Sequence, residues 1–163
     1  NYQDGISTAS EEFMKKSRFA LGSKYVTNLG GWTHVAEIDS ISLDALINTY
    51  GSPDFIKIDV EGYELEVLKG LNSKVESLCF DFHEEFFEEG LQCLDYLSNL
   101  GYKEFGLIGF FDEGDVFEDF TFNSKGDPYT VLPNKFISVG SMKKSLGDFK
   151  PSRRVNYGMM YAR

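Results

Sequence analysis

Residues 53–70 read PDFIKIDVEGYELEVLKG, and their reading decides the fold. FIKIDV (55–60) is short and rich in β-branched side chains, which fits a strand. The stretch after it, from about Tyr63 to Lys69, carries Leu65, Leu68 and Leu71 on one side and is closed by Gly70, which fits a helix. A strand followed so closely by a helix is half of a βαβ unit, and the neighbouring sequence repeats the alternation.

Upstream, Leu43, Leu46, Ile47 and Tyr50 fall at i, i+3, i+4 and i+7 of a helix, with Ser42 placed to cap it and Gly51 to stop it. Pro53 prevents the helix from continuing. HVAEI (34–38) reads as a short strand. Thr8 and Glu11 have capping-box spacing ahead of a short helix from about Ser10 to Ser17 that would bury Phe13 and Met14. Between these two, LGSKYVTNLGG reads as loop or hairpin.

Downstream, SLCFDF (77–82) is a strand. Leu91, Leu94, Leu97 and Leu100 mark a helix ending at Gly101, and YKEFGLIGFF (102–111) and VNYGMMYA (155–162) are further strands. The alternation predicts a mostly parallel α/β sheet, with the last two strands as an antiparallel pair at one edge because no clear crossover helix joins them. The connection between them, residues 112–154, is longer than a plain turn and reads as a cap or loop broken by a helix near Asn134 to Leu146.

The chain has 163 residues, 42% of them apolar and 15% aromatic, enough for one domain with its own core. The apolar runs are far too short to span a bilayer. Sixteen Lys and Arg against 26 Asp and Glu give a net charge of −10, a field that repels phosphate backbones and anionic lipid. Neither nucleic acid nor a membrane surface is expected as a partner. Lys143, Lys144, Lys150, Arg153, Arg154 and Arg163 gather basic charge in residues 143–163, where they are read as balancing nearby acids. Cys79 and Cys93 show no metal or redox spacing and read as buried reduced thiols, which points to a cytoplasmic location.

The chemistry is expected at the carboxyl ends of the strands, where open parallel sheets bind ligands. Parallel strands are covered on both faces and normally read as unbroken apolar runs. FIKIDVEG breaks that rule with Lys57, Asp59 and Glu61, all of one parity, and LCFDFHEE breaks it with Asp81 and His83. If the strands are neighbours, Asp59 and Asp81 converge at one rim, with Glu61, His83 and Glu84 just beyond. Acids so placed repel one another unless a cation or a substrate donor sits among them. Lys57 is one candidate partner and a divalent metal held by Asp59 and Asp81 is another; the bland alternative is that Lys57 pairs with Asp59 or Asp81 inside the fold. No P-loop, GxGxxG, GxSxG or HExxH is present.

The run SISLDALINTYGSPDFIKIDVEGYELEVLKGL resembles the central motif of the FkbM-type methyltransferases, in which "tLDsLi" leads to "DfiKIDVEGyE…vLkG". ISTASEEF, CFDFHEEF and NLGYKEF fit the same pattern, and YGMMYAR resembles the family's closing "yGDiyAk", although two methionines replace its acidic step. The resemblance implies a Rossmann-like class I methyltransferase fold, doubly wound, using S-adenosyl-L-methionine to methylate a hydroxyl of a sugar or other small molecule. It implies that Asp59, matching the residue that ends the fold's fourth strand, lies near the cofactor's methyl group. Asp59, Glu61 or His83 would take the acceptor's proton, while Lys57, Asp81 and Glu84 would contact the acceptor. A metal-free mechanism is favoured over a divalent ion.

The glycine-rich turn and the ribose-binding acid of that fold have no counterpart among residues 1–33. The chain also opens with Asn1 rather than Met. It is therefore expected to be the C-terminal portion of one methyltransferase domain, truncated by about 100 residues at roughly 30 per strand–helix unit, and inactive by itself. Within it, 1–33 would be a lid or acceptor-side segment, 34–111 the βα core, 112–154 an insertion and 155–163 the last strand. Two other readings stay open: a non-catalytic module that pairs with another chain, including a second copy, and a metal-dependent hydrolase built on Asp59, Asp81, His83 and Glu84.

Overall fold

The computed structural model describes residues 7–17, 36–110, 121–122, 132–149 and 157–163. Over these the chain forms α1 (Glu11–Lys16), α2 (Leu43–Tyr50), β1 (Phe55–Ile58), α3 (Glu64–Lys69), β2 (Ser77–His83), α4 (Phe87–Leu100), β3 (Phe105–Phe110), β4 (Thr121–Phe122), α5 (Val139–Phe149) and β5 (Tyr157–Ala162). A short 3-10 turn, Glu84–Phe86, leads from β2 into α4.

The helix ends follow local chemistry. Ser42 accepts a hydrogen bond from the Ala45 amide, and Gly51 stops α2 at φ 94°. Gly101 closes α4 in the left-handed region, where a side chain would be strained. At α1 the capping residue is Ser10, whose hydroxyl accepts from the Phe13 amide; the Thr8–Glu11 box does not form. Thr8 is engaged elsewhere, its hydroxyl donating to the Glu61 carbonyl at 2.6 Å. Of the expected strand 34–38, residues 36–38 form no strand, and Ile38 is exposed. The loop 21–31 and most of 112–131 lie outside the described residues.

The sheet has the order β1-β2-β5-β3-β4. β1 pairs with β2, and β3 with β4, in parallel, whereas β5 is antiparallel to both β2 and β3. The expectation of a mostly parallel sheet with an antiparallel pair at its edge is thus corrected. Half of the pairings are antiparallel, and β5 lies in the middle, inserted between β2 and β3. Pairing across a long sequence separation leaves no local trace, so this placement could not be read from periodicity.

One face of the sheet carries the main core. Leu78, Phe80 and Phe82 of β2, Leu107 of β3 and Met160 of β5 pack against Leu68 of α3, Leu94 and Leu97 of α4, and Met142 and Leu146 of α5. Each fully buried leucine contributes roughly 1.5–3 kcal/mol. The opposite face bears a smaller cluster of Cys79, Ile108, Met159 and Tyr161, with Phe136 against it. The expected double winding is therefore not seen among the described residues: α3, α4 and α5 share one face. The α2 stripe is only half used, since Leu43 and Ile47 pack on the core while Leu46 and Tyr50 are exposed. The expected helix near 134–146 begins later, at Val139.

Cys79 and Cys93 are free and buried, and burial pushes both thiols up to about 12. In the basic stretch, Lys143 pairs with Asp95, Lys144 with Asp148 and Arg163 with Glu104, so its described members balance acids, as expected. Among the described residues no helix is long and apolar enough to cross a membrane.

Candidate functional site

The polar residues of β1 and β2 meet because the strands are adjacent and in register. Lys57 lies beside Cys79 and Ile58 beside Phe80, so the next step brings Asp59 beside Asp81. Lys57 forms an ion pair with Asp59. Burial above all, and then the charges of Asp59 and Glu61 and a hydrogen bond with Asp59, push the Asp81 carboxyl up to about 8.

Beyond Asp59 the chain makes a turn that holds two residues at positive φ, Glu61 at 52° and Gly62 at 85°. Gly62 is required twice over: L side chains avoid that conformation, and a Cβ there would lie 2.7 Å from Cδ2 of Phe13. The Glu64 carboxylate accepts hydrogen bonds from the amides of Val60 and Gly62 and so closes the turn on the first residue of α3. Glu64 is buried, and this desolvation raises its pKa above the usual carboxylate range.

This turn carries Glu61 toward His83 at the end of β2. Nε2 of His83 lies 3.6 Å from Oε2 of Glu61 and 3.8 Å from Oδ2 of Asp81. Phe13 of α1 meets the imidazole edge-on and stacks on Phe86, closing the far side. Beside the cluster is a cavity of about 330 Å³ whose lining includes Asp81, His83, Glu64, Tyr63, Phe86 and Glu89.

Asp59, Glu61, Asp81 and His83 are thus brought together at one rim, as parity and strand adjacency suggest. Lys57 is drawn to Asp59 rather than into the cavity lining. Glu84 opens the 3-10 turn, is exposed and stands apart from the lining. Three contributors escape a reading of the sequence. Glu64 looks like a solvated acid in a first helical turn, Glu89 looks the same in α4, and Thr8 looks like a cap. The signal that marks Glu64 is its position two residues after a glycine that follows a strand, where free amides need an acceptor.

The methyltransferase FkbM domain model matches residues 2–104, which takes in β1, β2 and the whole of this cluster. The chain belongs to the FkbM methyltransferase family. The closing YGMMYAR, although it resembles the family pattern, lies beyond the matched residues. A relative, the hexuronic acid methyltransferase AglP of Haloferax volcanii, is 36% identical over 80 residues, covering 47% of this chain and 32% of that protein. The aligned part therefore spans about a third of the relative's length. No solved structure matches the chain.

Proposed function

We propose that this chain carries the acceptor side of an S-adenosyl-L-methionine-dependent O-methyltransferase acting on a hydroxyl of a sugar or similar small molecule. The observation that carries the reading is the convergence of Asp59, Glu61, Asp81 and His83 at the carboxyl ends of two adjacent parallel strands, beside a cavity large enough for a monosaccharide-sized group. Family membership supports methyl transfer, and the relative named for a hexuronic acid supports a sugar acceptor.

The described residues fit the reactive end of that cofactor better than its nucleoside end. Asp59 stands at the carboxyl end of β1, the edge strand among the described residues, partly exposed and paired with Lys57, where it would face a sulfonium. When bound, the cofactor supplies an electrophilic methyl carbon, whose bond to sulfur breaks as its bond to the acceptor oxygen forms. The chain's own residues orient the acceptor and accept its proton. Tyr63, Phe86 and Glu89 bound the cavity in which the acceptor sits, and a carboxylate at the rim takes the hydroxyl proton and returns it to solvent. Phe13 shields the His83 side from water.

Full-length protein tested with labelled S-adenosylmethionine and a panel of free and linked hexuronic acids and neutral sugars is expected to label a hydroxyl oxygen. S-adenosylhomocysteine should bind in the same preparation. Binding of neither cofactor form would overturn the reading.

A second reading, a module that pairs with another chain, is favoured by one observation. β1 has β2 on one side and no partner on the other among the described residues, and Ile41, Tyr50 and Phe55 are exposed near it. An open edge of this kind recruits further strands. Sedimentation equilibrium showing a dimer that binds no S-adenosylhomocysteine would favour this module over the enzyme.

A further inference from the structure

Glu61, Asp81 and His83 each offer one ligand atom, and these atoms lie within 4.8 Å of one another. The Nε2 separations of 3.6 and 3.8 Å from the two carboxylate oxygens are too long for hydrogen bonds. They are close to the roughly 3–3.5 Å between neighbouring donors around an ion with bonds of about 2.1 Å. The group is not an exposed patch of acids: the side chains of Glu61, Asp81 and His83 are 18%, 14% and 7% exposed. A buried imidazole nitrogen facing two carboxyl groups is a mixed donor set of one nitrogen and two oxygens.

We propose that Glu61, Asp81 and His83 bind one divalent cation of the Mn²⁺ or Zn²⁺ class. The nitrogen donor argues for these ions over Mg²⁺ and Ca²⁺, which prefer oxygen throughout. Three protein ligands leave coordination positions open, and Asp81 and His83 both line the cavity, so the open side faces the space where a small molecule fits. The sequence suggested Asp59 and Asp81 as the ligand pair; the structure assigns Asp59 to Lys57 and replaces it with Glu61 and His83. Glu61 reaches the site because the turn after β1 holds it in the left-handed region, and Phe13 fixes the plane of the His83 ring.

The site stands on its own geometry, and its chemical consequence rests on the function proposed above. A cation held here would bind the acceptor oxygen and make its hydroxyl a stronger acid.

The test is metal binding, not turnover. Full-length protein is stripped with a chelator and titrated with MnCl₂, and in parallel with ZnCl₂, by calorimetry, with electron spin resonance on the Mn²⁺ samples. One equivalent is expected to bind, and the spin-echo spectrum of bound Mn²⁺ should show coupling to a single nitrogen. Asp81→Asn and His83→Gln should each weaken binding by at least about tenfold. Glu76→Gln, which alters an exposed carboxylate outside the cavity lining, should bind as the parent does. Absence of binding, absence of the nitrogen coupling, or undiminished affinity in both ligand variants would overturn the site. The nitrogen coupling needs no variant, so a misfolded substitution does not rescue the proposal. S-adenosylhomocysteine binding in the same samples separates the two readings: retained without metal, it leaves methyl transfer standing and removes only the cation.

Discussion

The ring of Phe13 meets the imidazole of His83 edge-on, with centroids 5.4 Å apart. This contact ties α1 to the end of β2, across more than sixty residues of sequence, and it exists only because Gly62 leaves room for it. Gly62→Ala forces a Cβ to within 2.7 Å of Phe13 and places a side chain at φ 85°. The substitution should cost at least about 2 kcal/mol, the sum of overpacking and backbone strain. Urea unfolding of Gly62→Ala measures it, beside Gly147→Ala in α5, which has nothing within 4 Å of its Cβ position and should if anything stabilise by up to about 1 kcal/mol.

Glu64 predicts a dependence of stability on pH. Burial raises its folded-state pKa above the usual 4.5, so the native state holds a proton that the unfolded chain releases earlier. The contribution is fully present below the unfolded pKa and is lost as pH rises through the folded one. Glu64→Gln should flatten that slope above about pH 4.5 while keeping one acceptor for the turn amides. Glu64→Ala should lose about 1–3 kcal/mol by stranding them. Denaturant midpoints across mildly acidic to neutral pH check both.

The thiols give a third expectation. With both pushed up to about 12 by burial, Cys79 and Cys93 should react with iodoacetamide near pH 8 at least about 100-fold more slowly than a free thiol. Mass spectrometry before and after adding denaturant should show labelling only in the unfolded protein. Rapid labelling of the native protein at Cys79 would mean that the small cluster around it opens readily.

For the proposed transfer, Asp59→Ala in the full-length protein should lower turnover at least about tenfold while circular dichroism remains that of the parent. Unchanged turnover would remove Asp59 from the reaction and leave Lys57 as a purely structural partner.

The helices and strands around the site were legible because each rests on local chemistry. The Ser42 cap, the stops at Gly51 and Gly101, and the leucine spacing of α4 are all written within a few residues of where they act. The rim was legible for a related reason. Strand parity places Lys57 and Asp59 on one face of β1, and Asp81 and His83 on one face of β2; the two sets meet because the strands are neighbours, a condition the sequence leaves open and the structure meets. What escaped was set by contacts distant in sequence. Thr8 resembles a cap until Glu61 offers it a carbonyl, and Ser10, two residues on, captures the helix end instead. Glu64 looks solvated until the turn before it buries its carboxylate. The central position of β5 depends on which strand edges remain open, and no window of sequence contains that information.

That position bears on how the protein is made. On the ribosome β2 and β3 emerge well before β5, and until β5 arrives neither can form its pairing in the middle of the sheet. The nascent chain must carry open edges, one of them ending in His83, through the synthesis of the long connection that precedes Tyr157. Strand edges in that state invite pairing with other chains. Arrival of Gly158 to Ala162 closes these two edges, so the side that β3 leaves exposed on emerging is covered only when β5 follows.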